Sequence, residues 1–174
     1  KIAASAAGLV KAGDTLFLDA STTALYLARS IRKFSEIRVI TNSLPIINEL
    51  SHQPDIKLVA VGGQLSRTNQ SLVGEAANQL IRDNYFASKI FFSCRGLSEA
   101  GEMFESDEAD TAVKRTMIQC AAERIMLCDS TKFGRIGHVK LGTLEKISAI
   151  ITDRIPDVKW KRLFDSYHIK IVYC

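Results

Sequence analysis

The amino-acid sequence predicts an α/β protein with a mainly parallel sheet and helices on both faces. Short apolar runs alternate with segments that carry apolar residues at helical spacing, and the strand-like runs lack polar alternation. Strands of that kind are typically buried on both faces, as in a parallel sheet covered by helices. A chain of 174 residues is long enough for a sizeable core, so we assign residues 1–174 to one domain.

The strands are predicted from seven short apolar runs. Most of these runs stop at glycine or at polar residues, where a chain typically leaves a buried strand. In chain order the runs are residues 15–19, 37–40, 57–61, 89–92, 124–128, 148–151 and 169–173. The polar stretch 64–71 and the acid-rich stretch that ends at Asp107 are predicted as loops.

Six helices are predicted between these strands from apolar residues spaced three and four apart. In chain order they cover residues 2–10, 22–34, a segment capped by Ser43, 73–84, 107–122 and 156–166. Ala24, Leu27, Ala28 and Ile31 form the apolar face of the second helix. The fifth helix has three acidic residues in its first turn, which suits the positive end of the helix dipole.

Composition and charge narrow the possible functions. The net charge of +4 is scattered, and neither a helix-turn-helix nor an aromatic RNA-binding surface is visible, so we expect the isolated chain to bind DNA poorly. The four cysteines form no CxxC pair and the three histidines are isolated, so we predict no metal site and no cofactor. Free cysteines favour a reducing, cytoplasmic setting. No apolar run is long enough to cross a bilayer, and the chain begins at Lys1, as a fragment of a longer protein would.

The segment from Asp19 to Thr23 joins the first strand to the second helix. Its three hydroxyl residues, Ser21, Thr22 and Thr23, fall where the helix begins. Unpaired N–H groups and the helix dipole make such a position suitable for an oxyanion such as phosphate. A plain helix cap explains the same residues, because serine and threonine cap helices routinely.

Polar residues also follow the other predicted strands. In a parallel sheet the carboxyl ends of the strands lie along one edge, where ligands bind. The segments at this edge are 19–23, 41–42, 62–63, 93–96, 129–132 and 152–153. Hydroxyls and a lysine suit phosphate, and carboxylates with an asparagine suit sugar hydroxyls. We therefore predict a small, anionic, polyhydroxylated ligand. Neither a dinucleotide nor a nucleoside-triphosphate fingerprint is present.

An ordered series of motifs resembles the C-terminal sensor domain of DeoR-family transcriptional regulators. The motifs are Asp19-x-Ser-Thr-Thr, Thr41-Asn42-Ser43, Gly62-Gly63-x-Leu, Ser71-x-x-Gly74, Glu108-Ala109 with Val113-Lys114-x-x-Met117, Asp129-Ser-Thr-Lys132-Phe-Gly134 and Ile150-Ile-Thr-Asp153. The resemblance implies a Rossmann-like fold related to ribose-5-phosphate isomerase and the CoA-transferases. It also implies a phosphorylated sugar as effector, and a winged helix-turn-helix domain upstream that binds operator DNA.

The resemblance also implies a set of ligand-binding residues. These are Asp19, Ser21, Thr22, Thr23, Thr41, Asn42, Gly62, Gly63, Ser71, Gly74 and Lys132. The candidate set further includes Arg95, Gly96, Glu108 and Asp129. We expect Lys132 and the 21–23 loop to hold the same phosphate.

Two functions remain open on these residues. The first is a non-enzymatic sensor in a repressor of sugar-metabolism genes. The alternative is a sugar-phosphate isomerase on the related fold, for which Asp19, Glu102, Glu105 or Glu108 would supply the base. The acidic and lysine-glycine loops of the related isomerases have no counterpart here, which favours the sensor. The terminal strand 169–173 offers an association surface, so a homo-oligomer is expected.

Overall fold

The structure is a computed structural model that describes residues 1–155 and 157–174. Its elements, in chain order, are α1 (Ile2–Ala7), β1 (Thr15–Leu18), α2 (Thr22–Ser30), β2 (Ile37–Thr41), α3 (Leu44–Leu50), β3 (Ile56–Ala60), β4 (Gln64–Ser66), β5 (Ser71–Val73), α4 (Glu75–Asn84), β6 (Ala87–Phe92), β7 (Gly96–Leu97), β8 (Glu102–Glu105), α5 (Glu108–Gln119), β9 (Ala121–Leu127), β10 (Val139–Thr143), β11 (Ala149–Thr152), α6 (Val158–Ser166) and β12 (Lys170–Tyr173). Residue 156, where the last helix was predicted to begin, lies outside the described residues.

The main sheet has seven strands in the order β12-β11-β9-β6-β1-β2-β3. Every neighbouring pair in it is parallel. The predicted parallel sheet is therefore confirmed, and each of its strands overlaps one of the seven predicted runs. β12 lies at one edge of the sheet and β3 at the other.

Helices cover both faces of this sheet, as predicted. Along β1, Phe17 points to one core, while Leu16 and Leu18 point to the other. The buried residues of α4, α5 and α6 join the core of Phe17, and those of α1, α2 and α3 join the opposite one. This alternation accounts for the continuously apolar strands, because both side-chain directions lead into a core.

The order in which strands are added to the sheet reverses between β1 and β6. From β1 it adds β2 and β3 on one side, then returns to place β6 on the other side of β1 and continues to β12. Loops that leave the carboxyl ends of β1 and β6 therefore diverge toward opposite faces of the sheet. Such a switch point leaves a crevice, the usual position of a ligand in open α/β sheets.

Two predicted loops contain strands instead. Residues 64–71 belong to the antiparallel hairpin β4–β5, and the acid-rich stretch contains β7 and β8, which pair with β10 in a three-stranded sheet. These strands are short and largely polar or half-exposed, so they lack the apolar signal of buried strands. Gly63 enters the hairpin with φ +144, where a Cβ would lie 2.5 Å from the Val73 carbonyl oxygen.

Helix ends account for most of the remaining differences. α1 ends at Ala7, before the capping Gly8, and not at residue 10. α2 ends at Ser30, although its predicted apolar face, including Ile31, is fully buried. Within the described residues, no helix is long and apolar enough to span a membrane.

Candidate functional site

A cavity of about 200 Å³ opens at the switch point. It lies where β1 and β6 end and where α2 and α5 begin. Its lining residues are Asp19, Ala20, Ser21, Thr22, Thr23, Asn42, Asn69, Ser93, Cys94, Arg95, Glu105, Ser106, Asp107, Asp110, Lys114 and Lys132. Polar and charged side chains dominate this surface, which suits a small hydrophilic ligand.

The N-terminus of α2 forms one wall of the cavity. The Ser21 hydroxyl caps the helix by accepting a hydrogen bond from the Ala24 N–H at 3.2 Å, and it donates to Asp19 Oδ1 at 2.5 Å. The next two N–H groups, those of Thr22 and Thr23, have no acceptor among the described residues. These N–H groups sit at the positive end of the helix dipole, and both threonines line the cavity.

A buried lysine lies at the base of the cavity. Lys114 Nζ, from α5, contacts Asp19 Oδ2 at 2.8 Å, the Ser93 carbonyl oxygen at 2.8 Å and the Glu105 carboxylate. Asp19 Oδ2 also accepts the Ser93 N–H at 3.2 Å. One ammonium group therefore joins the ends of β1, β6 and β8.

Burial and neighbouring charges have opposite effects on the pKa of Lys114. Burial lowers the pKa of Lys114, but the charges of Asp19 and Glu105, and hydrogen bonds to both, more than offset this effect and raise it above its ordinary value. Lys114 therefore stays protonated at neutral pH. Its charge is shared with two carboxylates, so it is not available to a ligand in the way an unpaired cation is.

Two further cations line the cavity without an acidic partner among the described residues. Lys132 ends a 3-10 turn, Ser130–Lys132, and is half-buried, whereas Arg95 follows β6 and is exposed. Their segments run side by side, since Leu97 forms a parallel bridge with Phe133. An unpaired cation on a cavity is free to neutralise an anionic ligand.

The turn that carries Lys132 is fixed from two sides. Asp129 caps it by accepting the Thr131 N–H at 3.0 Å, and Asp153 accepts the Ser130 N–H at 2.7 Å and the Ser130 hydroxyl at 3.0 Å. Behind it, Phe133 packs edge-on against Trp160 of α6, with ring centroids 4.9 Å apart, and also against Phe164. The position of Lys132 is thus set by α6 and by the end of β11.

The structure brings seven of the predicted site residues to the cavity. These are Asp19, Ser21, Thr22, Thr23, Asn42, Arg95 and Lys132. The others do not line it: Thr41, Gly62, Gly63, Ser71, Gly74, Gly96, Glu108 and Asp129. The Thr41 hydroxyl accepts the Ser43 N–H at 3.1 Å and so shapes the turn that presents Asn42.

Some of these residues support the lining indirectly. Ser71 donates a hydrogen bond to Asp110, and Asp129 caps the turn of Lys132. Gly96 packs directly against the backbone of Arg135, where a Cβ would overlap it. Glu108 is exposed in the first turn of α5.

The lining residues absent from the predicted set come mainly from α5 and the segments before it. They include Asn69, Glu105, Asp107, Asp110 and Lys114. Lys114 did leave a signal, because it sits between Val113 and Met117 on the buried side of a helix. A lysine in such a stripe is rarely buried unless it is paired. Among the described residues, no group of three or more His, Cys, Asp or Glu side chains could hold a metal ion.

Comparison with known families decides where this domain belongs. Residues 1–154 match the family described as the DeoR C terminal sensor domain. The chain belongs to this DeoR sensor-domain family. The predicted resemblance is therefore confirmed, and the domain is of the kind found in DeoR-family transcriptional regulators.

Curated relatives of this DeoR sensor domain are transcriptional regulators. It is 34% identical over 170 residues to the uncharacterized HTH-type transcriptional regulator YulB of Bacillus subtilis, covering 98% of this chain and 65% of that protein. It is 28% identical over 174 residues to the glycerol-3-phosphate regulon repressor of Escherichia coli, covering 100% and 69%. It is 34% identical over 164 residues to the lactose phosphotransferase system repressor of Streptococcus mutans, covering 93% and 64%. The chain thus spans roughly two thirds of these relatives.

Solved structures confirm the Rossmann-like fold of the DeoR sensor domain. Ribose 5-phosphate isomerase A from Methanocaldococcus jannaschii aligns with a TM-score of 0.55 at 20% identity, over 76% of this chain and 52% of that one. The delta subunit of eIF2B from Chaetomium thermophilum aligns with a TM-score of 0.55 at 18% identity, over 80% and 54%. At these identities the similarity concerns the fold alone.

Proposed function

We propose that this sensor domain binds a phosphorylated sugar in the cavity at the carboxyl ends of β1 and β6. One observation carries the proposal. Thr22 and Thr23, whose N–H groups have no acceptor in the described chain, line the same cavity as Lys132, which has no acidic partner there. Neutral donors at a helix N-terminus hold an oxyanion, and a nearby lysine neutralises it.

The remaining surface of the cavity suits the sugar. Asn42, Asn69 and Ser106 offer neutral hydrogen-bonding groups. Asp19 and Glu105 line the cavity too, but both are bound to Lys114. We therefore assign Asp19 to the framework of the site as well as to its lining, and the neutral side chains to the recognition of hydroxyl groups.

The names of two relatives support this ligand class. One is a repressor of a glycerol-3-phosphate regulon, and another is a repressor of a lactose phosphotransferase system. Both names concern carbohydrate or polyol metabolism, and the compound in the first name, glycerol-3-phosphate, is a phosphate ester. A phosphorylated sugar fits both the names and the charge pattern of the cavity.

In the intact protein, we propose that effector binding changes the affinity of a separate DNA-binding domain for operator DNA. The chain covers about two thirds of relatives that regulate transcription, which leaves room for such a domain in a longer protein. We further propose that the regulator works in the cytoplasm as a homo-oligomer. The four free cysteines and the position of β12 at a sheet edge support these two points.

A thermal-shift panel tests the ligand class directly. Each phosphorylated sugar is paired with its unphosphorylated form, because a ligand that binds only the folded state raises stability by RT ln(1 + [L]/Kd). We expect at least one phosphorylated member to raise the Tm and its unphosphorylated form to have a much smaller effect. Equal shifts for both forms, or no shift across the panel, would contradict the proposal.

The alternative function, sugar-phosphate isomerisation, has one supporting observation. Asp19 and Glu105, two of the candidate bases, line the cavity and carry the kind of group that removes a proton in an enediol mechanism. The contact of both with Lys114 favours a structural use of these carboxylates. Incubation of the domain with ribose 5-phosphate, followed by assay for the ketose product, separates the two functions, since turnover would establish the enzyme.

A further inference from the structure

Hydrogen bonds from the hairpin β4–β5 to α5 converge on a single carboxylate. Asp110, in the first turn of α5, accepts hydrogen bonds from the Ser66 hydroxyl at 3.3 Å, from Asn69 Nδ2 at 2.6 Å and from the Ser71 hydroxyl. Both Asp110 and Asn69 line the cavity. Three hydrogen bonds from the hairpin thus converge on one side chain that lines the cavity.

This attachment determines which way the Asn69 amide faces. An ionised carboxylate only accepts hydrogen bonds, so the Asn69 amide must direct its NH₂ group to Asp110. Its carbonyl oxygen, Oδ1, has no donor among the described residues and remains available as an acceptor at the cavity.

Asn42, directly after β2, likewise uses its amide NH₂ group in a hydrogen bond to the protein. Its Nδ2 donates to the Leu72 carbonyl oxygen of β5 at 3.1 Å, and Oδ1 has no protein donor in the described chain. Asn42 is only 3% exposed, yet no buried side-chain oxygen or nitrogen of the described residues lacks a partner. Oδ1 must therefore be accessible to solvent. Asn42 is one of the residues that line the cavity.

We propose that Asn69 is a specificity residue for the hydroxyl groups of the effector, together with Asn42, and that Asp110 is the positioning residue that orients it. This inference rests on the proposed function. Fixed acceptor oxygens bind hydroxyl donors and disfavour an anion, so the phosphate lies at α2 and Lys132 and the sugar hydroxyls lie at the hairpin. A site built to bond a hydroxyl discriminates strongly against a ligand that lacks it.

The test compares two ligands on four variants of the 174-residue chain. The ligands are inorganic phosphate and the phosphorylated sugar that gives the largest Tm shift in the panel, both measured by NMR titration.

Asn69→Ala should weaken sugar-phosphate binding about tenfold, the scale of one lost hydrogen bond, and change phosphate binding less than about twofold. Asp110→Ala should reduce the ratio of sugar-phosphate affinity to phosphate affinity, because Asn69 loses its acceptor. Lys132→Ala should weaken both ligands, and Thr68→Ala, in the same loop, should change neither.

The outcomes separate this inference from the proposed function. If no sugar phosphate binds the wild-type chain, the proposed function and this inference are both overturned. If one binds and Asn69→Ala leaves its affinity unchanged, or weakens phosphate equally, only the role of Asn69 is overturned. A purely structural role of Asp110 would lower the Tm and weaken both ligands alike, and it would leave the affinity ratio unaltered.

Discussion

Two buried lysines hold carboxylates at opposite ends of the same strand, β1. At the amino end, Lys89 Nζ lies 2.8 Å from each carboxylate oxygen of Asp14. At the carboxyl end, Lys114 Nζ lies 2.8 Å from Asp19 Oδ2 and also contacts Glu105. The same pair of chemical groups therefore occurs twice, within four residues of strand, in two different settings.

The surroundings of the two clusters differ. Asp14 also accepts the Lys11 N–H at 2.8 Å and the Ser88 hydroxyl at 2.9 Å, and neither Asp14 nor Lys89 lines the described cavity. Asp19, Glu105 and Lys114 all line it. A buried ion pair therefore does not by itself mark a candidate site. What distinguishes the carboxyl end is the adjoining helix N-terminus and the unpaired cations beside it.

Removing the lysine at the carboxyl end should have the largest effect on folding. Lys114→Met leaves two carboxylates in the interior, one of them fully buried, without their cation. We expect a loss of about 4–5 kcal/mol in the free energy of unfolding, the upper range for breaking a buried ion pair. Urea denaturation measures it. Lys140→Met, which breaks an exposed pair with Glu102, is the control and should change stability by less than about 0.5 kcal/mol.

Lys89→Met should destabilise the chain less, by about 3 kcal/mol, because Asp14 keeps the Lys11 N–H and the Ser88 hydroxyl as donors. It should leave ligand affinity unchanged at temperatures where the variant is folded. Urea denaturation and calorimetric titration of the same preparation check both statements. A change in affinity as large as the change in stability would remove the distinction between the two ends of β1.

Lys132→Ala should leave stability within about 0.5 kcal/mol of wild type, as for other side chains without a protein partner. It should weaken sugar-phosphate binding by about 1.5–3 kcal/mol, the scale of a charged hydrogen bond. The loss for the unphosphorylated sugar should be far smaller. Calorimetric titration with both sugars is the measurement, and equal losses for the two would exclude Lys132 from a phosphate site.

The pH dependence of stability should have opposite signs at the two ends of β1. Burial raises the pKa of Asp14, but hydrogen bonds from Lys89, the Lys11 N–H and Ser88, with the Lys89 charge, bring it below 3.8. Asp14 therefore stabilises the fold above pH 3.8, and this contribution is lost as the pH falls through the folded-state pKa.

Lys114 behaves in the reverse sense. Its folded-state pKa lies above 10.5, so its contribution is present below pH 10.5 and is lost as the pH rises through the folded-state value. Urea midpoints measured across the pH range should show the gap between wild type and Asp14→Asn closing in acid. The gap between wild type and Lys114→Met should close in alkali. A gap that stays constant in both ranges would contradict the assignment.

The buried strands were predictable because both of their faces enter a core, which leaves a continuous apolar signal. The hairpin at 64–73 and strands β8 and β10 were not, since they are short and mix a few buried residues with polar or partly exposed ones. The edge that carries the cavity followed from the rule for parallel sheets, and that rule located Asn42 and Lys132.

The hydrogen-bond and ion-pair partners of the lining residues could not be predicted from the local sequence pattern. Asp19 and Lys114 are far apart in the chain, and nothing near either one indicates the other. The strand order, with β6 beside β1, is what brings them together. Asp110 illustrates the same limit, because near the start of a helix it is indistinguishable from an acidic residue that complements the dipole.

The aromatic contact between Phe133 and α6 has a consequence for how related regulators diverge. The family match ends at residue 154, whereas Trp160 and Phe164, which pack behind the turn of Lys132, come after it. A substitution at Trp160 would move that lysine without changing the identity of any residue that lines the cavity. Effector affinity would then be under selection in a segment that never meets the effector, and a comparison restricted to cavity residues would miss the change.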